Sequence, residues 1–476
     1  MDRFKYGWML VAVLWLCTPA QAQEFTMEQA VEHALKGNPS VESKLLTLEQ
    51  AKMNIGVAQS YFWPRVSLVS SNNRLENSGA AGSTDDLSSR SWSRGVRVNL
   101  SLFAGFAHLN NLDKSRLSVD MEEARHRQAK LELIANVQLQ FLQLLKARED
   151  LKSAKESITR IETQLKAAEA FVKVGMAPYV NVLQNQVELS KAKQQEIRVQ
   201  NTIRNAEVQL NKYLNYSPDE PILYTGDLRD FSGVVSYTEE QAIKTALFSR
   251  PDLIMAQKSV AIAFKDMDIT LGEYLPRVDA TYDNMKYHKD YKEERYTDYS
   301  RSYWAVGLNV SWDVFTGGST TFSYLGDKKR VEALQKDYED AMSGAKTDVI
   351  RSLLDIKAAK DLINVSRKGV EAAKESYDMA NKRYMTHTGT ITDLLDAQLK
   401  LTQAETDASQ SLMEYHSARA KFFYYIGREN ISLNRHDVPG VSPAVPFLES
   451  ITEQRVATPS TNHGDVRLLE SISKRF

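Results

Sequence analysis

The sequence predicts a mixed fold in which long α-helices are joined to transmembrane β-strands and one half-chain pattern occurs twice. Stretches 106–172 and 319–386 contain no proline and keep the heptad spacing of apolar residues that is typical of very long helices. Shorter stretches around Trp92 and Trp304 alternate apolar and polar residues with a period of two, as strands do. Both patterns recur after a shift of 212 positions, which predicts two structurally similar halves.

The composition excludes several classes of protein. The 60 Lys and Arg residues balance 61 Asp and Glu residues, whereas nucleic-acid-binding proteins usually have a basic excess. A hydrophobic content of 42% argues against disorder along the whole chain. The single cysteine, Cys17, allows neither a disulfide framework nor a thiolate metal site. The histidines show no ligand spacing and no nucleophile is paired with a base, so we expect neither enzymatic activity nor a cofactor.

The first residues have the features of a secretory signal peptide. The basic residues Arg3 and Lys5 precede an apolar run at 8–17, and a small-residue pattern ends at Ala22. We therefore predict a signal peptide at 1–22. The apolar run is too short to cross a bilayer, and no later stretch approaches the roughly 20 apolar residues of a membrane helix. Any membrane crossing by this chain has to use strands.

An ungapped register of identical residues connects the two halves of the chain. The aligned pairs are Gln29 and Gln241, Ala34 and Ala246, Pro39 and Pro251, Pro64 and Pro276, Gly95 and Gly307, Phe103 and Phe315, Gly105 and Gly317, Gln186 and Gln398, and Ala192 and Ala404. The repeat is far longer than a solenoid unit, so it indicates a duplicated half-protein with an internal tandem repeat.

The repeat divides the mature chain into four parts. We predict a first repeat at 23–215, a linker at 216–236 and a second repeat at 237–428. The part at 429–476 contains several prolines and no periodicity, so we expect a loosely ordered periplasmic tail.

Each repeat has the same predicted order of short helices, a β-hairpin and a long helical hairpin. Pro64 and Pro276 are expected to end the helices before them, because proline disfavours helical conformation in the preceding residue. The predicted ranges are about 65–103 and 277–315 for the β-hairpins, 72–90 and 286–300 for their polar loops, and about 106–215 and 319–427 for the helical hairpins.

The predicted strands have one apolar face and one small or polar face. Val96, Val98 and Leu100 alternate with polar residues in the first half, and the second half has the same pattern. The residues suited to aromatic belts at the membrane boundaries are Trp92, Trp304 and Trp312. A soluble, half-buried sheet is the alternative for these strands taken alone. The adjoining helices favour the membrane interpretation, because each would be about 100 Å long and would not fit a compact globular domain.

A single chain offers four strands, whereas closing a barrel takes about eight. In lipid every unpaired backbone group at an open sheet edge costs several kcal/mol, so the strands predict an oligomer. Three chains would supply twelve strands, enough for an open lumen. The polar residues that would face this lumen are Arg97, Asn99, Ser101, Asn309, Ser311 and Asp313. The helices would continue the same cylinder into the periplasm.

With these features, the sequence resembles the outer-membrane efflux (TolC-type) family from about residue 25 to 428. The resemblance rests on the signal peptide, the two tandem halves and the Phe-x-Gly junctions at Phe103 and Phe315. It implies a homotrimeric channel-tunnel, with a twelve-stranded β-barrel in the outer membrane above a periplasmic α-helical barrel. It also implies passive transport as the exit duct of a tripartite efflux pump or type I secretion system. The implied partners are a periplasmic adaptor protein, an inner-membrane transporter and outer-membrane lipid.

The resemblance assigns a pore constriction to two aspartates. Asp393 and Asp396 lie three residues apart at the start of a predicted helix, so they share a face. In the family, two aspartates at this spacing after the periplasmic turn form a narrow selectivity ring. A trimer would thus place six carboxylates around the pore, favouring cations and able to bind a blocking metal ion. From the residues alone, the alternative is that these acids offset the helix dipole.

The resemblance also implies a latch and an adaptor-contacting tip. Tyr384 matches a family tyrosine that helps to hold the tip closed, and Asn181 stands where the family has an acidic partner. Gly389 stands where the family has a latch arginine, so the family's latch network is not matched here. The turns around Gly175 and Gly389 would contact the adaptor. The alternatives are heptad packing for Tyr384 and plain helix-hairpin turns for the two glycines.

A second class of function is compatible with the long helices. A secreted, non-conducting coiled-coil fibre or adhesin would use the strands as a soluble cap. The Trp-bearing apolar strand faces argue against this alternative.

Overall fold

The computed structural model describes most of the chain. The described ranges are 24–77, 87–231, 235–291 and 297–433. The predicted signal peptide lies outside these residues, as does the predicted tail beyond Leu433.

The first half contains one very long helix, α3, and a hairpin of two long strands. Its elements are β1 Glu24–Phe25, α1 Met27–Gly37, α2 Pro39–Ser60, β2 Arg65–Asn77, β3 Leu87–Ala104, α3 Ala107–Lys173 and α4 Val180–Tyr213.

The second half has the same order of helices and strands. Its elements are β4 Leu223–Tyr224, α5 Glu239–Ser249, α6 Pro251–Gly272, β5 Arg277–Tyr291, β6 Tyr299–Ser311, α7 Ser319–Met385 and α8 Ile391–Tyr425. Helices α3 and α7 have 67 residues each. At 1.5 Å per residue, each is about 100 Å long.

The sequence explains where the short helices begin. Thr26 and Thr238 are the N-cap residues of α1 and α5, and each accepts a hydrogen bond from the backbone of a glutamine three residues later. The side chains of Gln29 and Gln241 accept from the N-cap backbone in return, which completes two capping boxes. The two halves therefore start with the same local structure.

The prolines at the ends of α2 and α6 act as the sequence predicts, with a small offset. The helices end at Ser60 and Gly272, four residues before Pro64 and Pro276. A turn fills the gap in the first half, where the Trp63 amide donates to the Ser60 carbonyl at 3.1 Å. The helix stops early because the residue before proline is disfavoured in helical conformation and proline has no amide donor.

The long strands form one antiparallel sheet in the spatial order β2, β3, β5, β6. The two hairpins meet through β3 and β5, with Val98 opposite Tyr282 and Leu100 opposite Ala280. A register shift between Ser101 and Phe103 marks a bulge near the helical end of β3. Within the described residues, β2 and β6 are each paired on one side only, so the sheet has two open edges.

The strands extend further from the helices than the polar loops predicted at 72–90 and 286–300 would allow. Strand β2 continues to Asn77 and β5 to Tyr291. The prediction ended them too early because their distal ends have polar side chains on both faces, while the backbone ladder continues. Strand β6 ends at Ser311, before the predicted boundary near 315.

Helix α3 lies at the centre of the helical layer. It packs against α2 and α6 along its first part and against α4 and α8 further along, whereas α7 packs against α6 and α8. Among the described helices, none has both the length and the apolar character needed to cross a bilayer.

The largest apolar core joins the N-terminus, the middle of α3 and the residues after α4. Strands β1 and β4 pair in parallel, and the fully buried Tyr224 ring meets Phe141 edge-on at 5.9 Å. Asn211 accepts a hydrogen bond from the Tyr224 hydroxyl at 2.6 Å and donates to three backbone carbonyls of the following loop. Part of the predicted linker at 216–236 is thereby packed onto the core.

The first residues of the predicted tail also pack onto this core. Gln138 donates a hydrogen bond to the Asn430 carbonyl at 2.7 Å, and the Arg419 guanidinium donates to the Leu433 carbonyl. Asn430 and Leu433 are both buried. The first five residues of the predicted tail, 429–433, therefore belong to the packed part of the chain.

Candidate functional site

Two helical turns lie side by side at the end of the helical layer that is distant from the sheet. The α3–α4 turn contains Gly175, and the α7–α8 turn contains Gly389. The Phe171 ring lies 4.4 Å from the His387 ring and 5.8 Å from the Tyr384 ring, measured between centroids. The two predicted tip glycines thus occupy neighbouring turns, which Phe171 holds together.

Glycine is needed at both turns, for different reasons. Gly175 has a φ of 77°, in the left-handed region that other residues rarely adopt. At Gly389 a Cβ atom would lie 2.9 Å from the Cβ of Arg383, and the Gly389 amide donates to the Arg383 carbonyl at 3.1 Å. The side chain that a larger residue would place at 389 therefore conflicts with this tight turn.

Tyr384 lies in a small apolar cluster at the base of the α7–α8 turn. Its side chain is buried with Ile391 and Leu394, and Phe171 packs against them. Burial raises the pKa of the Tyr384 hydroxyl above its ordinary value, and the nearby Asn181 side chain opposes this with a smaller effect. No hydrogen bond of good geometry to this hydroxyl forms within the described part of the chain. The structure thus brings the two latch candidates together, in a setting that packing dominates.

Asp393 and Asp396 project from the exposed side of α8. Leu394 and Ala397 face inward, and both aspartates are exposed. Asp393 completes a capping box: its amide donates to Thr390 Oγ1 at 3.1 Å, and its carboxylate accepts from the Thr390 backbone amide at 3.4 Å. The carboxylate also accepts from the Thr390 hydroxyl at 2.7 Å. The sequence reasoning considered a helix-dipole role for these acids and missed this capping box, which leaves the Asp393 carboxylate accessible to solvent.

A lysine that the sequence reasoning missed lies beside the second aspartate. Lys400 Nζ is 2.7 Å from the Asp396 carboxylate, an i,i+4 pair on an exposed helix face. The spacing alone could have shown this pair. It adds a positive charge close to the two acids.

Polar side chains join α3 to α8 above the tip, and sequence reasoning missed these as well. Arg160 lies 3.1 Å from the Glu405 carboxylate, which also accepts a hydrogen bond from Ser153. Gln398 donates to Ser157 at 3.2 Å. These residues flank the apolar heptad positions, and only the packing of α8 from the second half onto α3 brings them together.

A small cavity of about 80 Å³ opens beside this junction. Asp150, Ser157 and Thr402 are among the residues that line it. Burial raises the pKa of Asp150, while its ion pair with Lys146 opposes this effect. Within the described residues, no cluster of His, Cys, Asp and Glu side chains has the arrangement of a metal site.

The sheet has one apolar and one polar face, as the alternation predicts. Val66, Val98, Tyr282 and Val306 form one cross-strand row on the apolar face. On the opposite face Arg97 lies 2.7 Å from the Asp283 carboxylate of the neighbouring strand. The predicted lumen residues Asn99, Ser101, Asn309 and Ser311 share that polar face, whereas Asp313 lies beyond the end of β6.

The three tryptophans proposed for aromatic belts lie at different heights. Trp304 is highly exposed on the apolar face of β6. Trp312 lies just past the end of β6, and its indole N–H donates to the Tyr274 carbonyl at 3.0 Å. Trp92 lies on the same face of β3 and packs against His288 with ring centroids 5.3 Å apart.

An amphipathic sheet joined to helices of this length is the arrangement that the sequence predicts for an outer-membrane channel. The family model described as "Outer membrane efflux protein" matches residues 30–216 and 242–428. The chain belongs to this family. It is therefore an outer-membrane protein that extends into the periplasm and acts in efflux or secretion, and it is not an enzyme.

Named relatives are similar over most of the chain. "Outer membrane protein TolC" of Vibrio cholerae is 20% identical over 405 residues, which cover 82% of this chain and 87% of the relative. TolC of Escherichia coli is 21% identical over 457 residues, with coverages of 93% and 90%. The solved structure of the outer-membrane channel OprN matches the fold with a TM-score of 0.73 at 20% identity, covering 85% of this chain and 90% of that one.

Proposed function

We propose that three copies of this chain assemble into a channel-tunnel that serves as the exit duct of a tripartite efflux pump or type I secretion system. The observation that carries the proposal is the four-stranded sheet, which is apolar on one face, polar on the other and, among the residues that the structure describes, open at both edges. Substrates would pass through the channel passively, and the periplasmic tip would gate their passage.

The open edges support a closed ring of several chains. Strands β2 and β6 each have 13 residues, and each exposes a row of backbone donors and acceptors. In hydrocarbon these groups need partners, and the matching edge of a second copy supplies them. Three copies give a twelve-stranded barrel with room for water, whose lumen would be lined by the face that bears Arg97 and Asp283.

The helical layer supports the same arrangement below the sheet. Large apolar side chains are exposed on α2 and α7, the two helices at the margins of the layer near the sheet; they include Met53, Val57, Phe322 and Leu325. A neighbouring copy would bury these residues if its α7 packed against α2, which continues the strand interface into the helices. We infer a continuous periplasmic tunnel built by duplicated halves, with mature residues 23–215 and 237–428 as the two repeats.

The tip supports a gate with a negative constriction. Asp393 and Asp396 are exposed on one face of α8, and three copies would bring six carboxylates around the axis. Tyr384 and Asn181 would hold the closed tip by packing rather than by an ion pair. The turns at Gly175 and Gly389 would contact a periplasmic adaptor, which links the duct to an inner-membrane transporter.

Conductance in planar bilayers tests the proposal. The purified oligomer should give small, cation-selective channels, and the double variant Asp393→Ala/Asp396→Ala should give larger and less selective ones. Unchanged selectivity in the double variant would reject the constriction. The fibre alternative is tested by fractionation: a barrel stays in membranes washed with urea, whereas a fibre is released.

A further inference from the structure

A row of four hydrogen-bond donors crosses the apolar face of the sheet near its distal end. The register places Ser70 opposite Arg94, Arg94 opposite Lys286, and Lys286 opposite Ser302. All four side chains are exposed. They stand on β2, β3, β5 and β6 in turn, so the row spans the whole sheet. We call it the basic row.

The basic row shares its face with the residues proposed to contact lipid. Side chains two residues apart on a strand point to the same face. One step closer to the helices, the same face has Leu68, Val96 and Trp304. The lumen-side ion pair of Arg97 and Asp283 lies on the other face. The positive charges of the basic row therefore point away from the proposed lumen.

The height of the basic row matches a membrane boundary. Along β6 and its continuation, Trp312 and Trp304 bracket Val310, Leu308 and Val306. For strands tilted by about 40°, these eight residue steps rise about 20 Å, close to the roughly 25 Å of the apolar band of such barrels. Trp304 then marks the boundary distant from the helices. The basic row lies about 5 Å beyond it, among lipid headgroups.

The two cationic side chains of the basic row, Arg94 and Lys286, form no ion pair with an acid among the described residues. Asp290, an acid on the same face nearby, pairs with His288 at 2.5 Å. The Arg94 guanidinium carbon lies 5.1 Å from the centre of the Trp92 ring, a cation–π contact that holds it close to the sheet. Unpaired charges next to hydrocarbon are costly unless an anion joins them.

We propose that the basic row binds the phosphate of an outer-leaflet lipid headgroup, an inference that rests on the proposed barrel. Arg94 offers a planar fork of donors that matches phosphate oxygens, and Lys286 adds a second charge on the adjacent strand. Ser70 and Ser302 can donate at the two ends of the row. Trp92 and Trp304 lie on either side of the row, where indole rings favour the boundary between headgroups and acyl chains.

Native mass spectrometry of the full mature protein in detergent tests this site. The probes are the bisphosphorylated glycolipid lipid A and the same lipid after removal of both phosphates. Wild type should bind the phosphorylated form with about tenfold higher affinity than the dephosphorylated form. Charge-assisted hydrogen bonds to phosphate contribute about a factor of ten in affinity. The double variant Arg94→Gln/Lys286→Gln should lose this preference.

The matched control is Arg301→Gln. Arg301 is exposed on β6 at nearly the same height, opposite Tyr287, but on the polar face of the sheet. This variant should keep the preference for phosphorylated lipid. Equal loss in both variants, or a preference that survives in the double variant, would overturn the site. Displacement of the lipid by equimolar inorganic phosphate would also overturn it, since the site would then bind free anions.

Failure of this inference can be told apart from failure of the proposed function. The double variant should still form a detergent-stable oligomer with wild-type conductance, because neither residue faces the proposed lumen. If that oligomer forms and lipid binding is unaffected, the headgroup site is wrong and the duct stands. If wild type forms no oligomer and no channel, the proposed function fails and the headgroup site fails with it.

Discussion

At the residue scale, Lys400 changes the charge that the two tip aspartates present. Its ion pair with Asp396 leaves each copy with a smaller net negative charge on this face than the two carboxylates alone would give. Ion selectivity in a pore depends on the net charge of its lining and on how strongly salt screens it. Lys400 is therefore part of the proposed constriction.

The variant Lys400→Gln should raise the preference for cations by about twofold at low salt, because Asp396 loses its positive neighbour. Reversal potentials in asymmetric KCl measure this change. Lys191→Gln is the control, since the exposed Lys191 forms an i,i+3 pair with the partly exposed Glu188 on α4. Equal shifts in the two variants, or no shift in Lys400→Gln, would contradict a place for α8 at the pore.

A second residue-scale prediction concerns His416. Burial lowers its pKa to about 4, and Arg419 contributes to this shift, while a hydrogen bond with the Leu228 backbone opposes it. In the unfolded chain the pKa is about 6.5, so between these values the unfolded state binds a proton that the folded state does not. Folding stability should therefore fall as the pH decreases from about 6.5 to 4, by about 2–3 kcal/mol at most.

Thermal unfolding in detergent at pH 7.5 and at pH 5 measures this contribution. Wild type should lose more stability between these pH values than His416→Gln, which has no imidazole to protonate. If both proteins lose the same amount, the buried histidine is not the cause of the acid sensitivity.

Part of the candidate site could be predicted from the sequence, and part could not. The roles of the aspartates and the tip glycines follow only from the resemblance to the family, since the residues alone favour a helix-dipole role and plain turns. Glu405 and Arg160 meet only because α8 of the second half packs on α3 of the first, a pairing of residues 245 positions apart. Heptad spacing predicts that a helix has a partner, but it does not say which helix the partner is.

At the element scale, the junction between strand and helix depends on glycine in the first half. Gly105 has a φ of 60°, and a Cβ there would lie 2.1 Å from the Gly272 carbonyl oxygen at the end of α6. Gly317 occupies the same position of the second half, also with a positive φ, but no atom lies within 4 Å of a Cβ there. The two junctions share a backbone conformation and differ in crowding.

Gly105→Ala and Gly317→Ala therefore form a matched pair. Gly317→Ala should cost about 1–2 kcal/mol, the strain of a left-handed alanine. Gly105→Ala should cost about 1–3 kcal/mol more, because the backbone of α6 must move. Melting temperatures of the two purified variants measure the difference. Equal losses would show that α6 does not approach β3 as closely as the structure has it.

The bounds of the elements could largely be predicted, because local signals fix them. Capping threonines, prolines and the Phe-x-Gly junctions place the helix ends within a few residues of their positions in the structure. The parallel pair of β1 and β4 was missed, since each strand has only two residues and the partner lies almost 200 positions away. The distal ends of β2 and β5 were missed because polar side chains lie on both of their faces and interrupt the apolar alternation.

At the scale of the whole molecule, the described residues of one chain expose surfaces that the proposed oligomer would cover. In the part of the chain that the structure describes, the sheet is open at β2 and β6, and the helical layer exposes apolar side chains at its margins on α2 and α7. Strand β2 and helix α2 lie at one margin of the chain, and strand β6 and helix α7 lie at the opposite margin. A head-to-tail ring that repeats one interface would cover them together.

The mass of the protein extracted from outer membranes in mild detergent tests this ring most directly. Native mass spectrometry should find three mature chains per particle and almost no monomer, with heat needed to separate them. A stable, folded monomer at the same detergent concentration would contradict the shared barrel, because its sheet would then have two unpaired edges in the membrane.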